Sequence, residues 1–198
     1  MNAIICHGVK SEESFAKLSI PTCAEIWYPW LQQKLILAGI PTQCPSFTNS
    51  YLPVRSYTAD AEIMRRQQID DNTILIGHSC GGGLLVKYLT DNPGIKIAHL
   101  VLVAPWIDPL HEFPTYFNNF EPDATIPQRV GRIDLIYSTD DHHGDRILKG
   151  CEKLQKLWPT MCVHKFTDRN HFSRDTVTQL PEIMEVLEPT IQSHKTKK

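Results

Sequence analysis

The amino-acid sequence predicts an α/β protein: a reduced, mostly parallel sheet of about six strands with helices on both faces. Three observations carry that expectation. Short β-rich runs alternate with helical patterns along the chain, no repeat or low-complexity linker interrupts them, and a Gly-x-Ser-x-Gly stretch at 77–81 (GHSCG) lies between a strand-like run and a helix-like one.

Taken in order, residues 3–6 read as the first strand and 24–38 as a helix with Ile26, Trp30, Leu31, Leu35 and Ala38 inward, ending at Gly39. A short second strand falls at 42–44, and a helix over 56–69 turns Ala59, Ile63 and Met64 inward. Residues 73–76 (TILI) form the third strand, and a helix opens at 80–83 and continues through 84–89. Residues 99–104 (HLVLVA) read as a buried fourth strand, 133–138 (IDLIYS) and 161–166 (MCVHKF) as the fifth and sixth, with helices at 147–157 and 177–187. The stretch 105–131 is too long for a simple connection, in a fold class whose loops run to about six residues. It carries Trp106, Phe113, Tyr116, Phe117 and Phe120 among five prolines. These aromatics either wall a substrate pocket, for which Trp106, Phe113, Tyr116 and Phe117 are the candidates, or bury the insertion against the body.

Gly-x-Ser-x-Gly between strand and helix predicts a nucleophile elbow with Ser79 at its tip. The serine occupies a strained turn, and the glycines flank it because side chains there would collide with neighbouring elements. The helix that follows aims free N–H groups at the same place, which makes the Cys80 amide the first candidate donor to an oxyanion. A second donor belongs in the loop after strand one, with Val9 first and Gly8 next. The glycines 81–83 fit neither phosphate motif: a dinucleotide fingerprint needs Gly-x-Gly-x-x-Gly with an acid about 20 residues on, and a P-loop needs Gly-Lys-Ser/Thr. No cofactor is expected.

An activated serine needs an acid and then a histidine, each in a loop after a later strand. The fifth strand runs into Asp140 and Asp141, and the sixth runs into Asp168 and His171. His171 is therefore the expected base, with Asp140 and Asp141 the acids that chain order favours. His7 ends the first strand and His78 is the variable residue of the elbow, so both read as structural supports. His142 and His143 with Asp141 and Asp145 suggest a metal cluster, but no HExxH-type spacing accompanies them and no metal is expected.

The elbow, the Ser-Thr-Asp-Asp stretch ending at Asp141 and the KFTDRNHF stretch containing His171 resemble the small single-domain α/β hydrolases of the retinoblastoma-binding protein nine type, over nearly the whole chain. The resemblance implies the α/β-hydrolase fold and a Ser79, Asp141 and His171 triad, with Asp140 the fallback acid and Asp168 third. The chain departs from that family in its first loop, Cys6-His7-Gly8-Val9, which is not glycine-rich, and in the histidines that follow the acid where the family has proline. The activity implied is cofactor-independent cleavage of a small carboxylic ester, thioester or amide, of the EC 3.1.1 class. A non-catalytic interaction module on the same fold is the alternative, because fold does not fix function.

Composition agrees with one domain over 1–198. With 198 residues, 41% hydrophobic, the chain can bury one core and is short for two. A net charge of −2 leaves no electrostatic footprint for nucleic acid, and the basic run at 194–198 reads as a fraying tail. Cys6, Cys23, Cys44, Cys80, Cys151 and Cys162 lack CxxC pairing and read as reduced core thiols. No export signal opens the chain and no run of 18 apolar residues crosses a membrane, so a cytoplasmic enzyme acting on a small molecule is expected.

Overall fold

The structure, a computed structural model, describes residues 1–17, 19–47, 55–173 and 177–196. Its elements run β1 (Asn2–Cys6), α1 (Glu12–Ala16), a 3-10 turn (Thr22–Ala24), α2 (Tyr28–Leu37), β2 (Thr42–Gln43), α3 (Tyr57–Arg65), β3 (Thr73–His78), α4 (Cys80–Asp91) and β4 (Ile97–Val103). There follow α5 (Pro114–Phe117), a second 3-10 turn (Ile126–Gln128), β5 (Val130–Ser138), α6 (Asp145–Leu157), β6 (Cys162–Phe166) and α7 (Pro181–Lys195). The six strands form one all-parallel sheet in the order β2-β1-β3-β4-β5-β6.

That order fixes where the site lies. From β1 the chain steps outward to β2, returns across β1 to β3, and thereafter moves in one direction. Right-handed crossovers then place α2 on one face and α3, α4 and α6 on the other. The reversal between β1 and β3 opens a crevice at the carboxyl ends of those strands, where ligands bind in open parallel sheets. The central strands are apolar on both sides, as a sheet covered twice requires: Ile4, Ile5, Ile74, Leu75, Ile76, Leu100, Val101, Leu102, Leu135 and Ile136 are all at most 1% exposed.

Several element boundaries differ from the sequence reading, each for a local reason. Pro29 sits in the first turn of α2 and fixes its start at Tyr28, so the helix is shorter than 24–38; Trp27, Tyr28, Leu31 and Leu35 are buried, while Ile26, Trp30 and Ala38 are only partly so. Ser56 caps α3 by accepting the Ala59 N–H, and the buried residues are Asp60, Ala61 and Met64, with Ala59 facing out. β5 begins at Val130, paired with Ile97, so the insertion ends before 131. The last helix starts at Pro181 and runs through Pro189 to Lys195, later and longer than 177–187; His194 and Lys195 belong to it, and 197–198 lie outside the described residues. All six cysteines are free; Cys6, Cys80 and Cys151 are buried as expected, whereas Cys162 on the edge strand β6 is exposed. Among the described residues no helix is long and apolar enough to cross a membrane.

Candidate active site

Ser79 occupies the turn between β3 and α4 with φ 54° and ψ −125°, a strained conformation for a residue with a side chain. The turn is overdetermined by its neighbours. The Ser79 N–H donates to the Val103 carbonyl (2.9 Å), and the Ser79 carbonyl accepts from Trp106 (2.9 Å) and Gly83 (3.2 Å). The glycines around it are required by close approach: a Cβ on Gly77 would lie 2.6 Å from Gly82 Cα, on Gly81 2.1 Å from the Cys6 carbonyl oxygen, and on Gly83 1.9 Å from the Trp106 carbonyl oxygen.

The loops after β5 and β6 bring the two partners to this serine. His171 Nε2 lies 2.9 Å from Ser79 Oγ, and His171 Nδ1 lies 2.6 Å from Asp141 Oδ2. All three side chains are nearly buried, at 9%, 4% and 5% exposure for Ser79, His171 and Asp141, so their mutual hydrogen bonds are shielded from competing water. Burial works to raise the Asp141 carboxyl, but the His171 hydrogen bond and charge and the His143 N–H (2.9 Å to Oδ1) outweigh it and hold the carboxyl below its ordinary value. Asp141 is thus a carboxylate that accepts on both oxygens.

The other candidate acids point elsewhere. Asp140 Oδ1 accepts the Ser138 hydroxyl (2.5 Å) and the Asn170 N–H (2.9 Å), tying the two loops together without meeting the imidazole. Asp168 lies in an exposed ion pair with Arg169.

His7 and His78 are neutral, buried supports. His7 donates from Nδ1 to the Gly8 carbonyl and accepts the Phe47 N–H at Nε2; His78 donates from Nε2 to the His171 carbonyl (2.8 Å). Burial lowers each of them to about 3, helped by the positive Arg55 near His7 and by His171 near His78. His143 lines the cavity with its ring centroid 4.4 Å from that of His171, and burial together with His171 lowers it to about 4. His142 is exposed and bonds Asn170 Oδ1. Among the described residues no group of three or more His, Cys, Asp or Glu is arranged to hold a metal ion, and the adjacent imidazoles of His142 and His143 make no such set.

The depressed His7 and His78 have a consequence for stability. In the unfolded chain a histidine takes up its proton near pH 6.5, but in the folded protein these two resist it down to about 3. Below pH 6.5 the unfolded state therefore binds more protons, and stability falls as pH falls, by on the order of 1 kcal/mol per histidine for each pH unit. Urea unfolding midpoints should drop steadily between pH 6.5 and pH 4.5; a flat profile over that range would show that these imidazoles charge freely in the native state.

A cavity of about 390 Å³ opens in front of Ser79 and His171. Of the insertion aromatics, Trp106 and Phe113 line it, edge to face at 4.8 Å between ring centroids, together with Val9, Ile26 and Ile147. Tyr116 and Phe117, candidates for the pocket wall, are not among its lining residues and follow the other alternative, burial of the insertion against the body. They are 2% and 3% exposed, packed against each other, and the Tyr116 hydroxyl donates to the buried Asp60 carboxylate (2.8 Å). Tyr116 ties the insertion to α3, and Phe117 packs against Trp106, Tyr116 and Phe120. The charged groups around the opening are paired, Lys10 with Glu25 at 3.0 Å and Arg146 with Glu112 at 2.7 Å, and Glu12 lies at the exposed rim.

Candidate backbone donors lie next to Ser79 and in the loop after β1. Cys80 begins α4, so its N–H has no intrahelical acceptor. In the loop after β1 the Gly8 N–H donates to the Tyr28 hydroxyl (3.1 Å), whereas the N–H of Val9 has no protein partner among the described residues. The Cys80 thiol is fully buried, which raises it to about 11 and keeps it protonated. Tyr28, His143 and Arg146 are cavity-lining residues that sequence reasoning did not assign to a pocket. Pro29 was an available signal for where α2 begins, at Tyr28.

Comparison with known proteins agrees with this architecture. The chain superposes on the ydeN gene product of B. subtilis with a TM-score of 0.77 at 19% identity, covering 96% of this chain and 98% of that one. The fold is that of the α/β hydrolases. Mouse alpha/beta hydrolase domain-containing protein 10 matches with a TM-score of 0.63 at 13% identity over 99% and 90% of the two chains. The Paleococcus ferrophilus monoacylglycerol lipase matches with 0.61 at 14% identity over 96% and 93%. By sequence, the family described as serine aminopeptidase, S33, matches residues 38–133, a segment of this α/β-hydrolase fold that contains the elbow but neither Asp141 nor His171. No curated protein sequence matches the chain.

Proposed function

We propose that this chain is a single-domain serine hydrolase of the retinoblastoma-binding protein nine type, cleaving a small carboxylic ester, or a thioester or small amide, through an acyl-enzyme. The observation that carries the reading is the unbroken hydrogen-bonded line from Asp141 through His171 to Ser79 at the wall of a mostly apolar cavity. In the proposed cycle His171 Nε2 takes the Ser79 proton as Oγ attacks the substrate carbonyl, and Asp141 stabilises the imidazolium that forms. The tetrahedral oxyanion is held by the N–H groups of Cys80 and Val9, since Gly8 has already committed its own. His171 then protonates the leaving group, and water repeats the sequence to release the acid.

The paired charges around the cavity and its Trp106 and Phe113 wall favour an uncharged acyl group of modest size. The partial match to a serine aminopeptidase family supports amide cleavage by the same residues as the second reading. A pure interaction module has less support, because such a module has no use for a buried acid, base and nucleophile in line. Six free cysteines suit the reducing cytoplasm that the sequence suggests.

The test is turnover of a nitrophenyl ester panel across pH, before and after dialysis against a chelator. A general base must be unprotonated to accept the Ser79 proton, so the rate should fall on the acid side. Chelation should leave the rate unchanged. Loss of turnover on chelation, restored by zinc, would replace the serine mechanism with metal-activated water.

A further inference from the structure

Along one wall of the cavity, a chain of hydrogen bonds between nearly buried groups joins the loop after β1 to the loop after β6. The Gly8 N–H lies 3.1 Å from Tyr28 Oη, Tyr28 Oη lies 2.6 Å from His78 Nδ1, and His78 Nε2 lies 2.8 Å from the His171 carbonyl oxygen. Every direction in the chain is fixed. A carbonyl only accepts, so His78 Nε2 carries a proton; the neutral ring then leaves Nδ1 as an acceptor, so Tyr28 must donate its hydroxyl proton there and accept from Gly8 with its oxygen. His7, His78 and Tyr28 are all at most 2% exposed, so no water substitutes for a missing partner without cost.

Both ends of the chain hold parts that the reaction needs in place. At one end Gly8 is held through both of its peptides: its N–H by Tyr28, and its carbonyl, in the peptide that carries the Val9 N–H, by His7 Nδ1 (2.8 Å) and Arg55 Nη1 (3.3 Å). At the other end His171 lies between Asn170 at φ 49° and Phe172 at φ 55°, two non-glycine residues in left-handed conformations that persist only where the surroundings impose them. The Phe172 carbonyl accepts the indole N–H of Trp27 (3.0 Å), so adjacent residues at the start of α2 hold the loops on both sides of the serine.

We propose that Tyr28 and His78 are positioning residues, a tie that keeps the Val9 oxyanion amide and the His171 imidazole in one register about Ser79. The inference rests on the triad reading. A phenylalanine at 28 would fill the same space, so the tie depends on the hydroxyl alone.

The test compares wild type, Tyr28→Phe, His78→Gln, His78→Leu and the double variant Tyr28→Phe/His78→Leu, reading kcat and KM on a nitrophenyl ester and the rate of labelling by a fluorophosphonate. Misplacement of a reacting group by a fraction of an ångström predicts a fall in kcat and labelling rate of about 10- to 100-fold, with KM within about twofold. His78→Gln keeps an N–H that can reach the His171 carbonyl and should retain more activity than His78→Leu. Because the two residues act as one chain, the double variant should be no slower than the slower single one. Leu187→Ala, at a buried position of α7 outside the cavity lining, reports what lost stability alone does to the rate.

Wild-type kcat and labelling rate in Tyr28→Phe, a fall matched by Leu187→Ala, multiplying effects in the double variant, or failure of both Tyr28→Phe and His78→Gln to fold would each overturn the tie. Wild-type protein that neither turns over ester nor labels would instead overturn the triad reading beneath it.

Discussion

Ser79→Ala is expected to fold as the wild type does and to lose ester turnover by at least about 10³-fold, to the level that binding and oxyanion stabilisation alone sustain. The fold should tolerate the change because the Oγ makes a single hydrogen bond, to His171, while the turn itself is held by backbone bonds to Val103, Trp106 and Gly83. The measurement is kcat/KM on the most reactive nitrophenyl ester, with thermal unfolding as the control. Cys80→Ala is the companion variant. Its thiol is buried and kept protonated, with a value raised to about 11, so it should retain most activity. Near-wild-type rates in Ser79→Ala would remove the serine from the mechanism.

The second large effect separates two neighbouring carboxylates. Asp141→Asn should cost up to about 10⁴-fold in kcat, because an amide N–H offered to His171 Nδ1 favours the tautomer whose proton lies on Nε2. That proton would face Ser79 Oγ, and the imidazole could no longer accept the serine proton. Asp140→Asn should cost far less, since Asp140 meets Ser138 and Asn170 rather than the imidazole and acts only through loop placement. The reverse ranking would move the acid to Asp140.

What could be read in the sequence, and what could not, follows from how local each signal is. The elbow was legible because five residues and their flanks specify it: a buried β-run, two glycines excluded from bearing a Cβ, and a helix start. The chain order of serine, acid and histidine was legible for the same reason, each lying just after a strand-like run. The choice between Asp140 and Asp141 was not, because adjacent residues in a loop diverge and only the β6 loop, packed against them, decides which carboxylate meets His171.

The aromatic insertion shows the opposite limit. Nothing in its periodicity separates Trp106 and Phe113, which face the cavity, from Phe117 and from Tyr116, whose hydroxyl bonds a buried Asp60 on a distant helix. The role of Asp60 itself depends on Arg55, 2.6 Å away and buried, a contact that no hydrophobic pattern announces. The start of α2 was a missed local signal, since Pro29 marks its first turn.

The central claim is that Ser79, activated by His171 and Asp141, is a nucleophile. Its most direct measurement is reaction of the intact protein with a fluorophosphonate, followed by digestion and mass spectrometry of the labelled peptide. The account predicts stoichiometric phosphonylation on Ser79, abolished in Ser79→Ala and slowed strongly in Asp141→Asn. An unmodified Ser79 after prolonged exposure, or label that persists on Cys80 or another residue in Ser79→Ala, would contradict it.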